Sequence, residues 1–237
     1  MEKTFQQKQQ ETSAGVVRSM QEFDPSPGEY ATVLYDERDG KEYHVKRMAD
    51  GCWWMIDDLR YGTPSEISGW KENCKRDVKD LMGEGLYGVC RESLAKKGGY
   101  LYNWQAVMQH PDAAHGMYSS PNLPGQLWQG ICPTGWHVPC LYEMIRLKSV
   151  LGGCFTGLDA MGCNMPGPLS WNGIYNGYCD LNGVRVNHDM FGYYWTSSAN
   201  TSLDAYCLIF GNSLASPQGI NGKFLGLGVR AVLDRIR

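Results

Sequence analysis

The stretch 131–153, ICPTGWHVPCLYEMIRLKSVLGG, sets the narrowest limits on how this chain folds, because it joins a rigid aromatic turn directly to an amphipathic helix. Pro133, Gly135 and Pro139 restrict the backbone on the approach, and Trp136 brings a large apolar side chain to the change of direction. From Leu141 the apolar residues Leu141, Met144, Ile145 and Leu151 recur at helical spacing, which leaves Glu143, Arg146 and Lys148 to face water. Gly152 and Gly153 end the helix. His137 lies inside the turn, where its ring is expected to bond a backbone carbonyl and fix the loop. No nucleophile accompanies it, so general-base work is not expected.

The rest of the chain arranges itself around that stretch. Residues 1–28 are polar and Gln-rich up to Pro25 and Pro27, and read as an N-terminal tail or docking segment. No linker interrupts residues 29–237, which read as a single domain. After Tyr30 the alternation in ATVLYDERDGKEYHVKRM predicts two strands about a turn at Asp39-Gly40, with Trp53 and Trp54 entering the core just beyond. Short helices are predicted near 77–82 and 91–97, and another over 100–109 packed against the main helix. Residues 110–129 read as a long loop. Residues 154–188 are dense in Gly and Asn, yet Trp171, Tyr175 and Tyr178 make them ordered loops. Three strands are predicted at 193–198, 205–210 and 226–233.

Composition narrows the function classes. A hydrophobic content of 43% suffices for a core, and 29 glycines with 8 tryptophans and 14 tyrosines point to many turns between short aromatic-rich strands. The net charge of -3, with Lys and Arg scattered, gives no basic face for nucleic acid. The longest strongly apolar run, 52–56, is far short of the roughly 20 residues a membrane-spanning helix needs. MEKTFQQKQQ lacks the apolar centre of a secretion signal, so either a signal has been removed or the protein reaches its site by another route, such as a phage particle assembled in the cytoplasm. Nine cysteines leave at least one thiol unpaired, and no C-x-x-C spacing offers a zinc ribbon or thioredoxin motif. No Gly-x-Ser-x-Gly, His-Glu-x-x-His or phosphate loop is present. Asp159, Asp180 and Asp189 are spread over loops, and neither a metal nor a cofactor is expected.

CPTGWHVP followed by a helix and LGG resembles the central signature of the Fibrobacter succinogenes major paralogous domain. WWMIDDLRYG at 53–62, YLYNWQAVM at 100–108, GYYWTSS at 192–198 and GVRAV at 228–232 resemble further motifs of that family in its order, so that the resemblance spans about residues 30–235. It implies an α+β, C-type lectin-like fold with few helices, short antiparallel strands and long ordered loops. It also implies an insertion at 63–99, and a small second sheet that returns the C-terminus beside the N-terminal hairpin. Trp53, Trp54, Trp104, Trp136 and Trp195 would be buried scaffold, and Cys90 would pair with Cys132, unless most of the cysteines are buried free thiols. Another cysteine frequent in the family is Ala231 here, and the acidic triplets of calcium-dependent sugar-binding lectins are missing: Trp171-Asn172-Gly173 lacks the carboxylate.

The same resemblance implies a non-catalytic ligand-binding module displayed on a bacterial surface or phage virion. Its ligand would be a protein or glycan on a host or neighbouring cell, and it would dock to a fibre, pilus or virion through the N-terminal segment. Related lectin-fold proteins are targets of diversity-generating retroelements, which would place a variable face between TSS and GVRAV. The expected face is Asn200, Thr201, Leu203, Asp204, Tyr206, Asn212, Leu214, Gln218, Ile220 and Asn221, one contiguous patch with Tyr206 as its anchor. Cys207 and Ile209, opposite in direction to Leu208 and Phe210, are either covered or displayed to a partner. The alternatives are a relative of the formylglycine-generating cysteine oxidases using Cys163, Cys179 or Cys207, and a purely structural surface or virion protein.

Overall fold

A computed structural model of the protein describes residues 16–17, 32–62, 99–109, 127–153, 155, 171–212 and 214–233. The alternation after Tyr30 produces β2 (Thr32–Asp36) and β3 (Lys41–Arg47). Their turn closes with Gly40 at φ 72°, its N–H donating to Asp36 O at 2.8 Å. β4 (Trp53–Met55) follows β3, and β10 (Val232–Leu233) pairs antiparallel with β4. From the N-terminal segment, β1 (Val16–Val17) pairs in parallel with β2, which gives a sheet of order β1-β2-β3-β4-β10. Residues 232–233 therefore join the sheet that contains the N-terminal hairpin, with β4 between them and it.

A second sheet is built from β7 (Phe191–Ala199), β8 (Asp204–Gly211) and β9 (Ala215–Gly222), all antiparallel. β5 (Tyr178–Cys179) and β6 (Arg185–Val186) form a small separate ribbon. The two described helices are α1 (Trp104–Met108) and α2 (Leu141–Leu151). Among the described residues the protein is thus mixed α+β, with few helices and short, mainly antiparallel sheets.

Both faces of the second sheet are covered, because successive side chains of a strand point to opposite sides. Tyr193, Trp195, Ala205 and Cys207 pack with Trp104, Val107 and Met108 of α1, and with Tyr43, Val45, Trp53 and Met55 of the first sheet. Tyr194, Leu208 and Phe210 pack on the other side with Met144, Leu147 and Leu151 of α2, and with Trp54, Phe155 and Trp171. Trp53 and Trp54, neighbours in sequence, enter different halves of the core.

Four expectations change. α1 packs against β7 in the half of the core opposite to α2, rather than on the main helix. The third strand of the second sheet is β9, while 226–233 forms single bridges, such as Tyr102 with Leu227, before joining the first sheet as β10. For Cys207 and Ile209, left open between covered and displayed, the structure gives cover: Cys207 is fully buried and Ile209 half-buried. Glu143, read as solvent-facing, is buried: one oxygen accepts the Cys140 N–H at 2.7 Å at the start of α2, and the other lies 2.8 Å from His137 Nε2. His137 therefore fixes its turn through a carboxylate instead of a backbone carbonyl. The helices predicted near 77–82 and 91–97, and the body of the 110–129 loop, lie outside the described residues.

A buried ion pair ties the halves together. Arg230 Nε donates to Asp58 Oδ1 at 2.6 Å, its terminal nitrogens donate to Trp171 O at 2.6 Å and Asn172 O at 2.9 Å, and its guanidinium lies 4.3 Å from the centre of the Trp171 ring. Tyr194 donates its hydroxyl to the same carboxylate at 3.0 Å.

Candidate binding face

The β7–β8 connection is held by its own short side chains. The Asn200 and Thr201 N–H groups donate to Asp204 O at 3.0 and 3.1 Å. Thr201 Oγ1 accepts from the Leu203 and Asp204 N–H groups, each at 3.1 Å, and donates to Asp204 Oδ2 at 3.0 Å. This is the local bonding by which a Thr hydroxyl replaces missing ladder partners in a turn. Leu203 is left 54% exposed at the tip.

Register carries the face across to β9. Asp204 stands opposite Gly222 and Tyr206 opposite Ile220, so half-buried Tyr206 and the 48% exposed Ile220 are cross-strand neighbours on one side of the sheet. A bulge sets Pro217 and Gln218 against Leu208 alone; Pro217 is buried and Gln218 exposed. The start of α2 adjoins this end: the Leu141 N–H donates to Ser198 Oγ at 3.0 Å, and Tyr142 beside it is 53% exposed. Sequence reasoning did not select Tyr142, because its place beside the hairpin depends on that long-range bond.

The ten expected residues divide. Asn200, Thr201, Leu203, Asp204, Tyr206, Gln218 and Ile220 belong to the hairpin half of the sheet. Asn212 and Leu214 sit at the far end of β8, about 24 Å away at roughly 3.4 Å per strand residue. There Asn212 Oδ1 accepts the Tyr175 hydroxyl at 3.1 Å. Asn221 stands opposite Ala205 and turns toward the core side, its Nδ2 lying 3.0 Å from Cys207 Sγ. A single patch of all ten residues is therefore not what the fold assembles.

The thiols are buried. Among the described residues Cys132, Cys140 and Cys207 are free and buried, and Cys52 and Cys179 are buried as well, so Cys132 is an apolar-packed thiol instead of one half of a disulfide, and Cys90 lies outside the described residues. Desolvation pushes Cys140 up to about 11 and Cys207 up to about 12. A thiol held protonated is the opposite of what a nucleophilic or redox cysteine requires. Cys163 lies outside the described residues, and Cys179 is locked by reciprocal backbone bonds with Gly226 at 2.8 and 2.9 Å.

Asp180 uses its carboxylate on its own turn, accepting the Asn182 and Val184 N–H groups at 2.8 Å each, and Asp189 pairs with His188 at 2.6 Å; Asp159 lies outside the described residues. Among the described residues no group of three or more His, Cys, Asp or Glu is placed to hold a metal, and no helix is long and apolar enough to cross a membrane. Compared with known protein families, curated proteins and solved structures, the chain matches none of them.

Proposed function

We propose that the protein is a non-catalytic ligand-binding module of C-type lectin type, displayed on a phage virion or a bacterial surface. Its binding face consists of Asn200, Thr201, Leu203, Asp204, Tyr206, Gln218 and Ile220, with Tyr142 at its margin. The observation that carries this reading is the display of Leu203 and Ile220, 54% and 48% exposed, at the same end of a sheet whose other large apolar groups are mostly buried. Apolar and aromatic groups on a preformed backbone gain contact area with little loss of conformational freedom, which is the usual basis of affinity in compact binding faces. The lectin-type reading draws support from the order of the five motifs and from the return of β10 to the sheet that contains the N-terminal hairpin.

The test compares the native protein with a Leu203→Ser, Tyr206→Ala, Ile220→Ser triple variant on immobilised glycans and intact bacterial cells. The native protein is expected to bind at least one surface, and the variant to lose that binding while keeping the native thermal transition. Binding that survives the triple change would remove this face from consideration. The diversification reading has a separate check in the genome: an adenine-rich near-repeat of the coding region for 196–224 beside a reverse transcriptase gene.

A further inference from the structure

Lys223 is an ion in an unusual place. It is 1% exposed, directly after β9, and among the described residues no carboxylate hydrogen-bonds its ammonium. Its Nζ lies 4.5 Å from the centre of the Trp104 ring and donates to Ser202 O at 3.2 Å. Its own N–H donates to Leu203 O at 2.9 Å, and its carbonyl accepts the Trp104 N–H at 2.9 Å. Trp104 is in turn fixed to β7, donating Nε1–H to Thr196 O at 2.8 Å.

The chemistry of these contacts separates the shape of the hairpin from the identity of its tip. Every bond that Lys223 makes to the hairpin ends on a backbone carbonyl, and the balancing negative charge comes from the face of an aromatic ring belonging to α1 and, at longer range, from the Asp204 carboxylate. A backbone carbonyl is the same at any residue, so the side chains of Ser202 and Leu203 are not asked to hold the tip. We propose that Lys223 is a positioning residue that clamps the 200–203 hairpin in its binding form through main-chain atoms alone, so that the tip residues at 202 and 203 are replaceable without loss of that form. The inference rests on the hairpin being part of the ligand face, but its consequence for hairpin order is measurable without any ligand.

The experiment measures amide hydrogen exchange in four forms of the full chain: native, Ser202→Ala with Leu203→Ala, Lys223→Met, and Lys223→Gln. The reporting amides are Asn200, Thr201 and residue 223, with Tyr194 and Leu208 in the β7–β8 ladder as internal references. The double alanine form is expected to keep hairpin protection within about threefold of native. Lys223→Met, which keeps the apolar stem and removes the ammonium, is expected to speed hairpin exchange about tenfold or more while the reference amides hold. Lys223→Gln provides the second reading if the Met form does not fold.

Three results would overturn the proposal. One is unchanged hairpin protection without the ammonium. Another is a loss of protection in the double alanine form as large as that in the Lys223 forms, which would assign the hold to side chains. The third is equal acceleration of all amides, or failure of both Lys223 forms to fold, which would make Lys223 a general core residue. Because none of these readouts involves binding, a hairpin clamped as described but inert toward every surface tested would count against the proposed function alone.

Discussion

Arg230 shows at the scale of one residue how this chain holds long-range order. The residue sits in GVRAV, yet its partners come from three other segments: Asp58 after β4, the carbonyls of Trp171 and Asn172, and the Trp171 and Tyr194 rings. Removing one member of a buried pair leaves the other charge without compensation, so Arg230→Ala is expected to lower stability by about 3–5 kcal/mol in urea unfolding. Replacing both, Asp58→Leu with Arg230→Met, is expected to cost clearly less. A single change as mild as the double one would contradict the assignment. The buried thiols give a pH prediction. Their folded values, near 11 for Cys140 and 12 for Cys207, lie above the roughly 8.5 of a free thiol, so the fold holds the proton more tightly than the unfolded chain. That contribution is complete below about pH 8.5 and is lost as pH rises toward the folded values. The melting temperature is therefore expected to fall steadily from pH 9 to 11, and a constant value over that interval would contradict the burial of these groups.

Among the elements, α2 was the most legible in the sequence and β9 the least, and the reasons are physical. The start and stop of α2 are written locally: a turn with two prolines precedes it, and Gly152 takes φ 60° at its end. What local pattern cannot show is the direction of Glu143, because its burial depends on His137 and the Cys140 N–H meeting it from outside the helix. Glu143→Ala removes a cap and strands a buried imidazole, and is expected to cost about 2–4 kcal/mol, read from the shift of the urea midpoint at constant slope. Trp136→Ala, at 3% exposure in the turn before the helix, is expected to cost about 3–5 kcal/mol in the same measurement. β9 reads ASPQGING, with no apolar alternation and with Pro and two Gly inside it, so nothing local announces a strand. It is a strand because β8 offers a ladder, and because Gly219 leaves room that a Cβ would take from Ile209, 2.5 Å away. The expected binding face inherited this gap. With no strand predicted between 210 and 226, its residues have no register in the sequence, which hides that Asn212 and Leu214 lie at the other end of the sheet and that Asn221 turns to the core side.

At the scale of the whole molecule, the β7–β9 sheet is a shared wall. Trp195 and Cys207 belong to the core half that contains α1, and Tyr194, Leu208 and Phe210 to the half that contains α2. Consecutive residues of one strand cannot leave one half without being displaced from the other, since the backbone that alternates them is common to both. β4 repeats the arrangement, with Trp53 and Trp54 divided between the halves, and the Asp58–Arg230 pair follows β4 on one side and precedes β10 on the other. Two core halves built on common strands are expected to unfold as one unit, unlike two cores joined by a linker. Val107→Ala in one half and Leu147→Ala in the other are each expected to move the same transition, the leucine change by about 2–5 kcal/mol, with tryptophan fluorescence and far-ultraviolet circular dichroism tracing coincident curves. Two separable transitions, each responding to only one of the changes, would show that the halves fold independently and that the sheet between them does not couple them. The proposed binding face at one end of that sheet would depend on this coupling, because an edge strand rich in glycine stays ordered only while the core on both sides of β8 is intact.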